Sequence, residues 1–292
     1  MFQELESIRK SELKKFGIAA LILIGITLFI AMFLMFEGTF PVLMVSFVID
    51  VIVLSVMYSK AKVRYLLAYK NQFLKEVLAK EFEDLKVDFE HGFTEEQIRS
   101  WQLVALYDRF YSDDYISGRY HEIPFEFSDV HVQDVVRSGK TTTVVTRFQG
   151  LYLRVPMKKD FQGWMVVREK EFLDNGNPRG WFSELPELER FHVEDESFNQ
   201  KFSVYGSDGT EVFYLLTPRF LEEIKRLEQK YEGRCLFGFL DGFLHVAVDS
   251  RTEHFNAGLI DGVDEMKLKE HQQEIEMIKG IIELVEKECE TS

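Results

Sequence analysis

The chain has 292 residues, of which 46% are hydrophobic and 29% are charged, and its formal net charge at pH 7 is −14. This composition excludes a disordered tail and a transporter with many spans, and the negative charge argues against nucleic acid as a partner, because phosphate binding requires a basic surface. Residues 1–70 carry eight Lys and Arg against five Asp and Glu, whereas residues 71–292 carry 27 against 44. The two cysteines, Cys235 and Cys289, are too few for a disulfide-rich secreted protein or a four-cysteine zinc site.

Two apolar segments near the N-terminus predict a transmembrane hairpin. Residues 17–36 contain no charge, and residues 41–58 are apolar except for Ser46, Asp50 and Ser55. At a rise of about 1.5 Å per residue, a helix over the first segment spans about 30 Å, the thickness of the hydrocarbon core of a bilayer. A cleaved signal peptide is the alternative for the first segment, but its apolar core would be only about 7–15 residues long.

Basic residues flank both segments on the side away from the connecting turn, whose single charge is Glu37. These residues are Arg9, Lys10, Lys14, Lys15, Lys60, Lys62, Arg64 and Lys70. Basic residues remain on the cytoplasmic side of a membrane. We therefore expect a multi-pass protein of the plasma (inner) membrane with both termini in the cytoplasm. The lipid bilayer is then the partner of the two apolar segments.

Asp50 falls near the middle of the second apolar segment. An ionisable side chain at that depth costs about 2.5–3.5 kcal/mol on insertion scales, so it should face protein or water rather than lipid. We interpret Asp50 as an intramembrane polar contact, either across the hairpin or to another copy of the chain. The alternative is a proton or ion path, which would require a ring of subunits.

The second segment is predicted to continue as a helical stalk. No Gly or Pro occurs between Val42 and His91, and apolar residues recur at helical spacing, so we expect one helix from Val42 to Lys86. Thr94 and Gln97 then form a capping-box pattern that opens a helix ending near Tyr111.

The remaining chain alternates with the period of β-strands and returns to helical spacing twice. Gly150 within the third strand is predicted to be a bulge or a point of close approach. Helices are expected from the Thr217-Pro218 cap through Tyr231 and over residues 268–285. The predicted strands are Asp114–His121, Phe125–Val136, Thr142–Val155, Trp164–Glu169, Phe202–Tyr205, Glu211–Leu216, Cys235–Leu240 and Phe243–Val248.

These elements predict an α+β fold in three parts. Residues 1–60 form the two-span hairpin with a short cytosolic N-terminus, and residues 61–112 form the helical stalk and a connecting helix. Residues 113–292 form a cytosolic domain of antiparallel sheet with segregated helices, which ends in an amphipathic helix.

Five ordered motifs carry a resemblance to a known family. They are residues 112–120 (SDDYISGRY), 127–131 (FSDVH), 147–152 (RFQGLY), 202–208 (FSVYGSD) and 214–218 (YLLTP). They resemble a bacterial membrane-protein family catalogued only as a domain of unknown function, number three-one-three-seven, over about residues 70–285. The resemblance implies an integral membrane protein with a cytosolic domain. It implies no activity, and no catalytic residue is transferred from it.

One candidate ligand or partner face stands out. Strand alternation places Asp129, His131 and Gln133 on one side of the second predicted strand. An aspartate beside a histidine can orient it as a base or as a ligand. The other interpretation is a solvated sheet face with Val130, Val132 and Val136 buried behind it.

Other candidate groups are interpreted as structural. His271 lies on the apolar side of the last helix and is expected to be a core or interface histidine. His192 lies in an acidic run, where a divalent cation is conceivable but a solvated charged stretch is preferred. The loop from Asp174 to Gly180 is rich in turn residues and is a second place for an enzyme site. No nucleotide-binding loop, zinc-protease motif or nucleophile elbow is present.

We therefore expect a membrane-anchored binding or scaffold protein, with no catalytic residues, cofactor or metal site assigned from the sequence. Its acidic domain predicts a basic protein surface as partner, or self-association, and no nucleic acid. The alternatives are a subunit of an oligomeric channel or transporter that uses Asp50, and a membrane-associated enzyme with a site near Asp129 and His131.

Overall fold

A computed structural model describes residues 2–34, 40–104, 107–158, 161, 163–170, 188–231 and 233–289. The α-helices are α1 (Phe2–Leu34), α2 (Phe40–Tyr69), α3 (Lys75–Glu81), α4 (Glu95–Trp101), α5 (Glu196–Lys201), α6 (Gly209–Leu215), α7 (Pro218–Lys230) and α8 (Glu265–Cys289). The strands are β1 (Glu83–Asp88), β2 (Arg109–Tyr120), β3 (Ile123–Ser138), β4 (Thr141–Pro156), β5 (Met165–Glu169), β6 (Glu189–Phe191), β7 (Phe202–Gly206), β8 (Arg234–Leu240) and β9 (Phe243–Asp249). The chain divides into two compact units, residues 1–77 with 255–269, and residues 78–254 with 270–292.

The first unit is built around a helical hairpin, in which α1 and α2 pack antiparallel to each other. The Thr27 hydroxyl donates a hydrogen bond to Asp50 of α2. Toward the other end of the hairpin, the buried carboxylate of Glu12 accepts from Lys15 Nζ at 2.6 Å and from Arg64 Nε at 3.0 Å. Two helical stretches, Gln3–Met32 and Leu43–Glu81, are long and apolar enough to cross a membrane. The predicted turn at Glu37 lies outside the described residues.

The predicted long stalk helix is largely present, with two differences. Between α2 and α3 the residues Lys70–Leu74 form a π-helical turn. The helix ends at Glu81 rather than at Lys86, and residues 83–88 form strand β1 instead. The reason is tertiary: β1 pairs antiparallel with β2, matching Val87 to Ile116, and this pairing outweighs the helical spacing of a short segment.

The second unit contains one antiparallel sheet of nine strands, so the fold is α+β as predicted. The spatial order is β1-β2-β3-β4-β9-β8-β5-β7-β6. The first three predicted strands are present as β2, β3 and β4, which pair in sequence order, with β1 added at the edge. The fourth predicted strand, β5, does not follow β4 in the sheet, because it pairs with β8 and β7. The Asp241-Gly242 turn closes the predicted β8–β9 hairpin. Strand β9 joins the two parts of the sheet, since it pairs with β4 on one side and with β8 on the other.

Helix α4 begins at the predicted capping box. Thr94 Oγ1 accepts from the backbone N–H of Gln97 at 3.2 Å, and Gln97 Oε1 accepts from that of Thr94 at 2.8 Å. The prediction that this helix continues to Tyr111 is wrong. It ends at Trp101 because Gln102 adopts a left-handed conformation with φ of 52°, which ends the helical hydrogen-bond series.

Aromatic side chains form the core between α4 and the sheet. The Trp101 ring stacks on that of Tyr152, with centroids 5.3 Å apart, and Phe93 meets both rings edge to face. The Tyr152 hydroxyl is hydrogen-bonded to His245 Nδ1 at 3.1 Å, and both side chains are fully buried. Burial lowers the pKa of His245 to about 3, so this imidazole is a neutral core group.

The predicted strand Glu211–Leu216 is wrong, because residues 209–215 form helix α6. Asp208 Oδ1 accepts hydrogen bonds from the backbone N–H groups of Thr210 and Glu211, and this cap starts a helix. Residues 212–216 are a continuous apolar run, which fits a strand or a short helix equally well. The helix predicted after Thr217 is confirmed as α7.

Gly150 is a point of close approach. A Cβ atom on Gly150 would lie 2.1 Å from the backbone oxygen of Val248 in the neighbouring strand β9. The register shift in β4 occurs at Arg147, since Val132 pairs with Phe148 and Gln133 with Thr146. The bulge is therefore three residues before Gly150.

Candidate functional site

An open cleft in the second unit is lined by the beginning of strand β2, the middle of strands β3 and β4, and the chain that follows β9. Its volume is about 740 Å³. Three carboxylates, two aromatic rings and several amide or hydroxyl groups line it, and none of the described lining residues is Lys or Arg. They are Phe110, Tyr111, Ser112, Asp113, Asp129, Val130, His131, Gln133, Gln149, Thr252 and Glu253. We call this region the acidic cleft.

The three residues of the predicted face, Asp129, His131 and Gln133, all line the acidic cleft. They differ in burial, because Asp129 is 8% exposed whereas His131 and Gln133 are partly exposed. Of the valines predicted behind this face, Val130 and Val132 are buried, but Val136 is 45% exposed near the β3–β4 turn. Strand alternation thus places the three polar residues in one cleft, with unequal access to solvent.

The imidazole of His131 is held by two neighbours. Thr146 Oγ1 lies 3.2 Å and Gln133 Nε2 lies 3.1 Å from His131 Nε2. An amide NH₂ group can only donate, so Nε2 acts as acceptor and the proton of the neutral ring resides on Nδ1. Burial lowers the pKa of His131; the negative charge of Glu253 opposes this effect without cancelling it, and the positive charge of Arg251 adds to it. His131 therefore presents a neutral imidazole to the acidic cleft.

Three aspartates form a compact group at one side of the acidic cleft. One carboxylate oxygen from each of Asp113, Asp114 and Asp129 lies within 4.8 Å of the other two. Asp113 pairs with Asp129 across strands β2 and β3, and the register then shifts before Ile116. Asp114 lies in this β-bulge with a left-handed φ of 56°. A bulge re-aims side chains that would otherwise alternate between the faces of the sheet. We call these three residues the aspartate cluster.

Asp129 is the most constrained carboxylate of the cluster. Its Oδ2 accepts a hydrogen bond of 2.6 Å from the backbone N–H of His254. Among the residues that the structure describes, no hydrogen-bond partner contacts its buried Oδ1. Burial raises the pKa of Asp129 to about 6, against the opposing effects of the His254 charge and hydrogen bond.

A chain of buried polar side chains continues from His254. The Nδ1 atom of His254 donates to Glu274 Oε1 at 3.1 Å, and the Nδ1 atom of His271 donates to Glu274 Oε2 at 2.8 Å. On the other side of the imidazole, His254 Nε2 lies 2.9 Å from Ser250 Oγ. Burial alone would raise the pKa of Glu274, but its bonds to the two histidines lower it to about 2.

Ser250, His254 and Glu274 occur in the order of a nucleophile, a base and an orienting carboxylate. Burial tends to lower the pKa of His254, but the hydrogen bond to Glu274 and the charges of Asp129 and Glu274 outweigh it and raise the pKa. A raised pKa favours the imidazolium ion, which cannot take a proton from the serine. The group is therefore better described as an ion pair that fixes the segment after β9.

The other candidate residues lie away from the acidic cleft. Asp50 accepts its hydrogen bond from Thr27 within the helical hairpin. His192 is exposed, and the nearby Asp195 caps α5 and accepts from Lys225 at 2.6 Å. Within the described part of the chain, the acidic run around His192 forms no group that could hold a metal. The loop Asp174–Gly180 lies outside the described residues.

Several residues at this site did not emerge from the sequence. Asp113 and Asp114 were noted only as part of a motif, and the bulge that turns both toward Asp129 leaves no trace in the alternation of side chains. His254 and Glu274 come from segments 125 and 145 positions after Asp129, and local spacing carries no information about such contacts. The adjacent acidic pair Asp113-Asp114, where the strand predicted from Asp114 begins, is the one available signal, because strands disfavour aspartate.

Comparison with known families agrees with the resemblance of the motifs. Residues 146–287 match the family model described as "Protein of unknown function (DUF3137)". This is the family number that the motifs predict, and three of the five motifs, residues 147–152, 202–208 and 214–218, lie within the match. The description of the family states no activity, so the chemistry of the site has to be argued from its own residues.

Two individual proteins show weaker similarity. Elongation factor P 1 of Geobacter sulfurreducens is 34% identical over 91 residues, which are 29% of this chain and 48% of that protein. The chain thus spans about half the length of this curated relative. The crystal structure of the mycobacterial trehalose monomycolate transport factor A, TtfA, shares 10% identity with a TM-score of 0.39, covering 74% of this chain and 96% of that chain. Neither similarity is strong enough to support a function.

Proposed function

We propose that this chain, whose residues 146–287 match a family of unknown function, is a membrane-anchored binding protein. In this proposal α1 and α2 insert into the plasma (inner) membrane as a hairpin. The second unit (residues 78–254 and 270–292), which we call the α+β unit, lies in the cytoplasm and binds a basic segment of a protein partner in the acidic cleft. The observation that carries the proposal is the composition of that cleft, which has three carboxylates, an aromatic wall and no described Lys or Arg.

The surfaces of α1 and α2 support insertion into lipid. Large apolar side chains along both helices are exposed, and Leu21 reaches 72%. Contiguous exposed apolar surface of this kind marks contact with protein or membrane. The hydrogen bond from Thr27 to Asp50 gives the one ionisable group in the middle of α2 a partner inside the hairpin. Since that carboxylate is engaged, the contact favours a structural role for Asp50 over an ion path.

Fusion of reporters to the C-terminus tests the topology. Because all eight basic residues of the first 70 lie outside the two apolar segments and away from their connection, we expect both termini in the cytoplasm. A C-terminal green fluorescent protein should fluoresce in a bacterial host, and a C-terminal alkaline phosphatase should be inactive. Replacing Lys60, Lys62 and Arg64 with Gln is the matched perturbation of the basic flank that follows the second apolar segment, in the last part of α2. An active phosphatase fusion in the unaltered chain would contradict the topology.

The acidic cleft fits a cationic side chain better than it fits catalysis. Lys or Arg from a partner would meet Asp113, Asp129 and Glu253, and the rings of Phe110 and Tyr111 would cover its aliphatic stem. His131 is neutral and already accepts from its neighbours at Nε2, so it contributes a fixed hydrogen-bonding group. The net charge of residues 71–292 also attracts a basic partner over longer distances.

Site-specific photo-crosslinking tests this function in the full-length protein in its native membrane. p-Benzoylphenylalanine in place of Tyr111 should give an adduct of defined mass, because this side chain lines the cleft and is 54% exposed. Tyr214 on α6 is 53% exposed and away from the cleft, so the same replacement there is the matched control. Excess hexa-arginine peptide should reduce the Tyr111 adduct.

The pattern of adducts decides between the possibilities. A partner whose crosslinked peptide is basic supports the proposal, and an adduct of two copies of this chain would identify self-association as the binding event. Equal adducts at both positions, or an adduct that the arginine peptide leaves unchanged, would contradict recognition of a basic segment in the acidic cleft.

A further inference from the structure

We propose that the aspartate cluster of Asp113, Asp114 and Asp129 binds a divalent cation that prefers oxygen ligands. No metal site was expected from the sequence, and the proposal goes beyond the binding of a protein partner. The cation would lie at the side of the acidic cleft where strands β2 and β3 meet.

The spacing of the cluster matches one shared ion. One carboxylate oxygen from each residue lies within 4.8 Å of the other two. Two oxygens on opposite sides of a Ca²⁺ ion are about 4.6–5.2 Å apart, because each Ca–O distance is about 2.3–2.6 Å. Mg²⁺ brings its ligands closer, at about 2.0–2.1 Å, and usually keeps several waters. The open cleft leaves room for such waters.

The backbone explains how two consecutive residues reach the same ion. Neighbouring residues on a regular strand point to opposite faces of the sheet. The bulge after Asp113, with Asp114 at φ of 56°, breaks this alternation opposite Asp129. Bulges of this kind are frequent beside functional sites, where they re-aim a side chain.

Asp129 supplies an independent indication of a ligand. Its side chain is 8% exposed, and in the described part of the chain no partner contacts its Oδ1, although this atom is buried. A buried carboxylate oxygen without a partner is costly, whereas a cation would satisfy it. The other oxygen is fixed by the His254 backbone N–H at 2.6 Å, so the carboxylate cannot rotate away from the cluster without losing that bond.

The positive charge nearest to the cluster is shared with another carboxylate. The His254 ring is hydrogen-bonded to Glu274 and lies against Ser250, and its charge acts on both Glu274 and Asp129. Asp113, Asp114, Asp129 and Glu253 together contribute four carboxylates to this region. A divalent cation would balance half of that charge, and the acidic cleft would remain attractive to a basic partner.

Calorimetric titration of the full-length protein tests the site. The protein is purified in mild detergent, stripped with a chelator and titrated separately with Ca²⁺, Mg²⁺ and Mn²⁺. We expect saturable binding of one ion per chain for at least one of the three, together with a rise in the melting temperature. Asp129→Asn should weaken this binding at least about tenfold, because even outer-sphere changes at metal sites cost about 10–100-fold in affinity.

Two further variants keep the test decisive. Asp113 is exposed, so Asp113→Asn should fold even if Asp129→Asn does not, and it should also weaken binding at least about tenfold. Asp241→Asn is the matched control, because Asp241 is exposed in the β8–β9 turn with φ of 52°, a conformation that asparagine tolerates. It removes one negative charge and should leave the affinity unchanged.

The proposal is overturned if the stripped protein binds none of the three ions at one saturable site. It is also overturned if Asp113→Asn and Asp241→Asn change the affinity equally, since that would reflect net charge alone. The titration contains no protein partner, so a failure to bind a cation would contradict only the metal site. The proposed function is tested separately, by the crosslinking at Tyr111.

Discussion

Replacing Gly150 with alanine is expected to lower the free energy of unfolding of the α+β unit by about 4 kcal/mol, among the larger effects of single substitutions. The added Cβ would lie 2.1 Å from the Val248 backbone oxygen and 2.9 Å from Ser250 Oγ. Neither β4 nor β9 can move away without losing the pairing that joins the two parts of the sheet. The melting temperature of the detergent-solubilised full-length protein should fall by about 8–16 °C.

The matched control for this substitution is Gly139→Ala in the β3–β4 turn. Gly139 has φ of 60°, but a Cβ there would meet no atom within 4 Å. Its cost should be about 1–2 kcal/mol, which is the penalty of the left-handed conformation alone. Equal losses of stability for the two variants would show that close approach to β9 is not what requires glycine at position 150.

Replacing Glu274 with glutamine is expected to lower the free energy of unfolding by about 3 kcal/mol at pH 6. Glu274 accepts from both His254 and His271, whose side chains are only 9% and 5% exposed. Loss of the carboxylate would remove the negative charge that balances the His254 imidazolium, and the amide would offer one acceptor oxygen where the carboxylate offers two. Equilibrium unfolding of the full-length protein in detergent measures the difference.

The pH dependence of this difference follows from the pKa of Glu274, which is lowered from 4.5 to about 2 in the folded protein. A lowered carboxyl pKa contributes stability that is fully present above about 4.5 and is lost as the pH falls toward 2. Glutamine does not titrate. The difference in the free energy of unfolding between the unaltered protein and Glu274→Gln should therefore decrease steadily as the pH falls below about 4.5.

Glu276→Gln, on the same helix, is the matched control for Glu274. Its side chain is 47% exposed and lies 3.4 Å from Lys279, so its loss should cost less than about 1 kcal/mol. If the loss of unfolding free energy in Glu274→Gln did not depend on pH, or if both variants lost the same amount, the role assigned to the buried ion pair would be contradicted.

Much of the fold could be predicted because its signals are local. The capping box of Thr94 and Gln97, the Asp241-Gly242 turn and the period-two strands all act within a few residues. The wrong predictions confuse a helix with a strand. They occur where a contact distant in sequence, or a capping side chain, decides between these two structures. Strand β1 depends on pairing with β2, and helix α6 depends on the cap by Asp208 rather than on its apolar run.

The site could be predicted only in part, for the same physical reason. Alternation along one strand was enough to place Asp129, His131 and Gln133 in a common cleft. It could not reveal Asp113 and Asp114, because a bulge changes the side to which a residue points without changing the sequence pattern. Nor could it reveal His254 and Glu274, whose contacts depend on the folding of distant segments.

The order of strands in the sheet has a consequence for the chain as it is synthesised. Strands β1 to β4 pair with their neighbours as they emerge, but β4 waits for β9, which ends roughly 90 residues later. At about 5–20 residues per second, this interval lasts about 5–20 s. Throughout it, the nascent chain displays the backbone groups of β4 as an open sheet edge, which other strands can pair with. A ribosome-associated chaperone would therefore be most useful to this protein between the synthesis of β4 and that of β9.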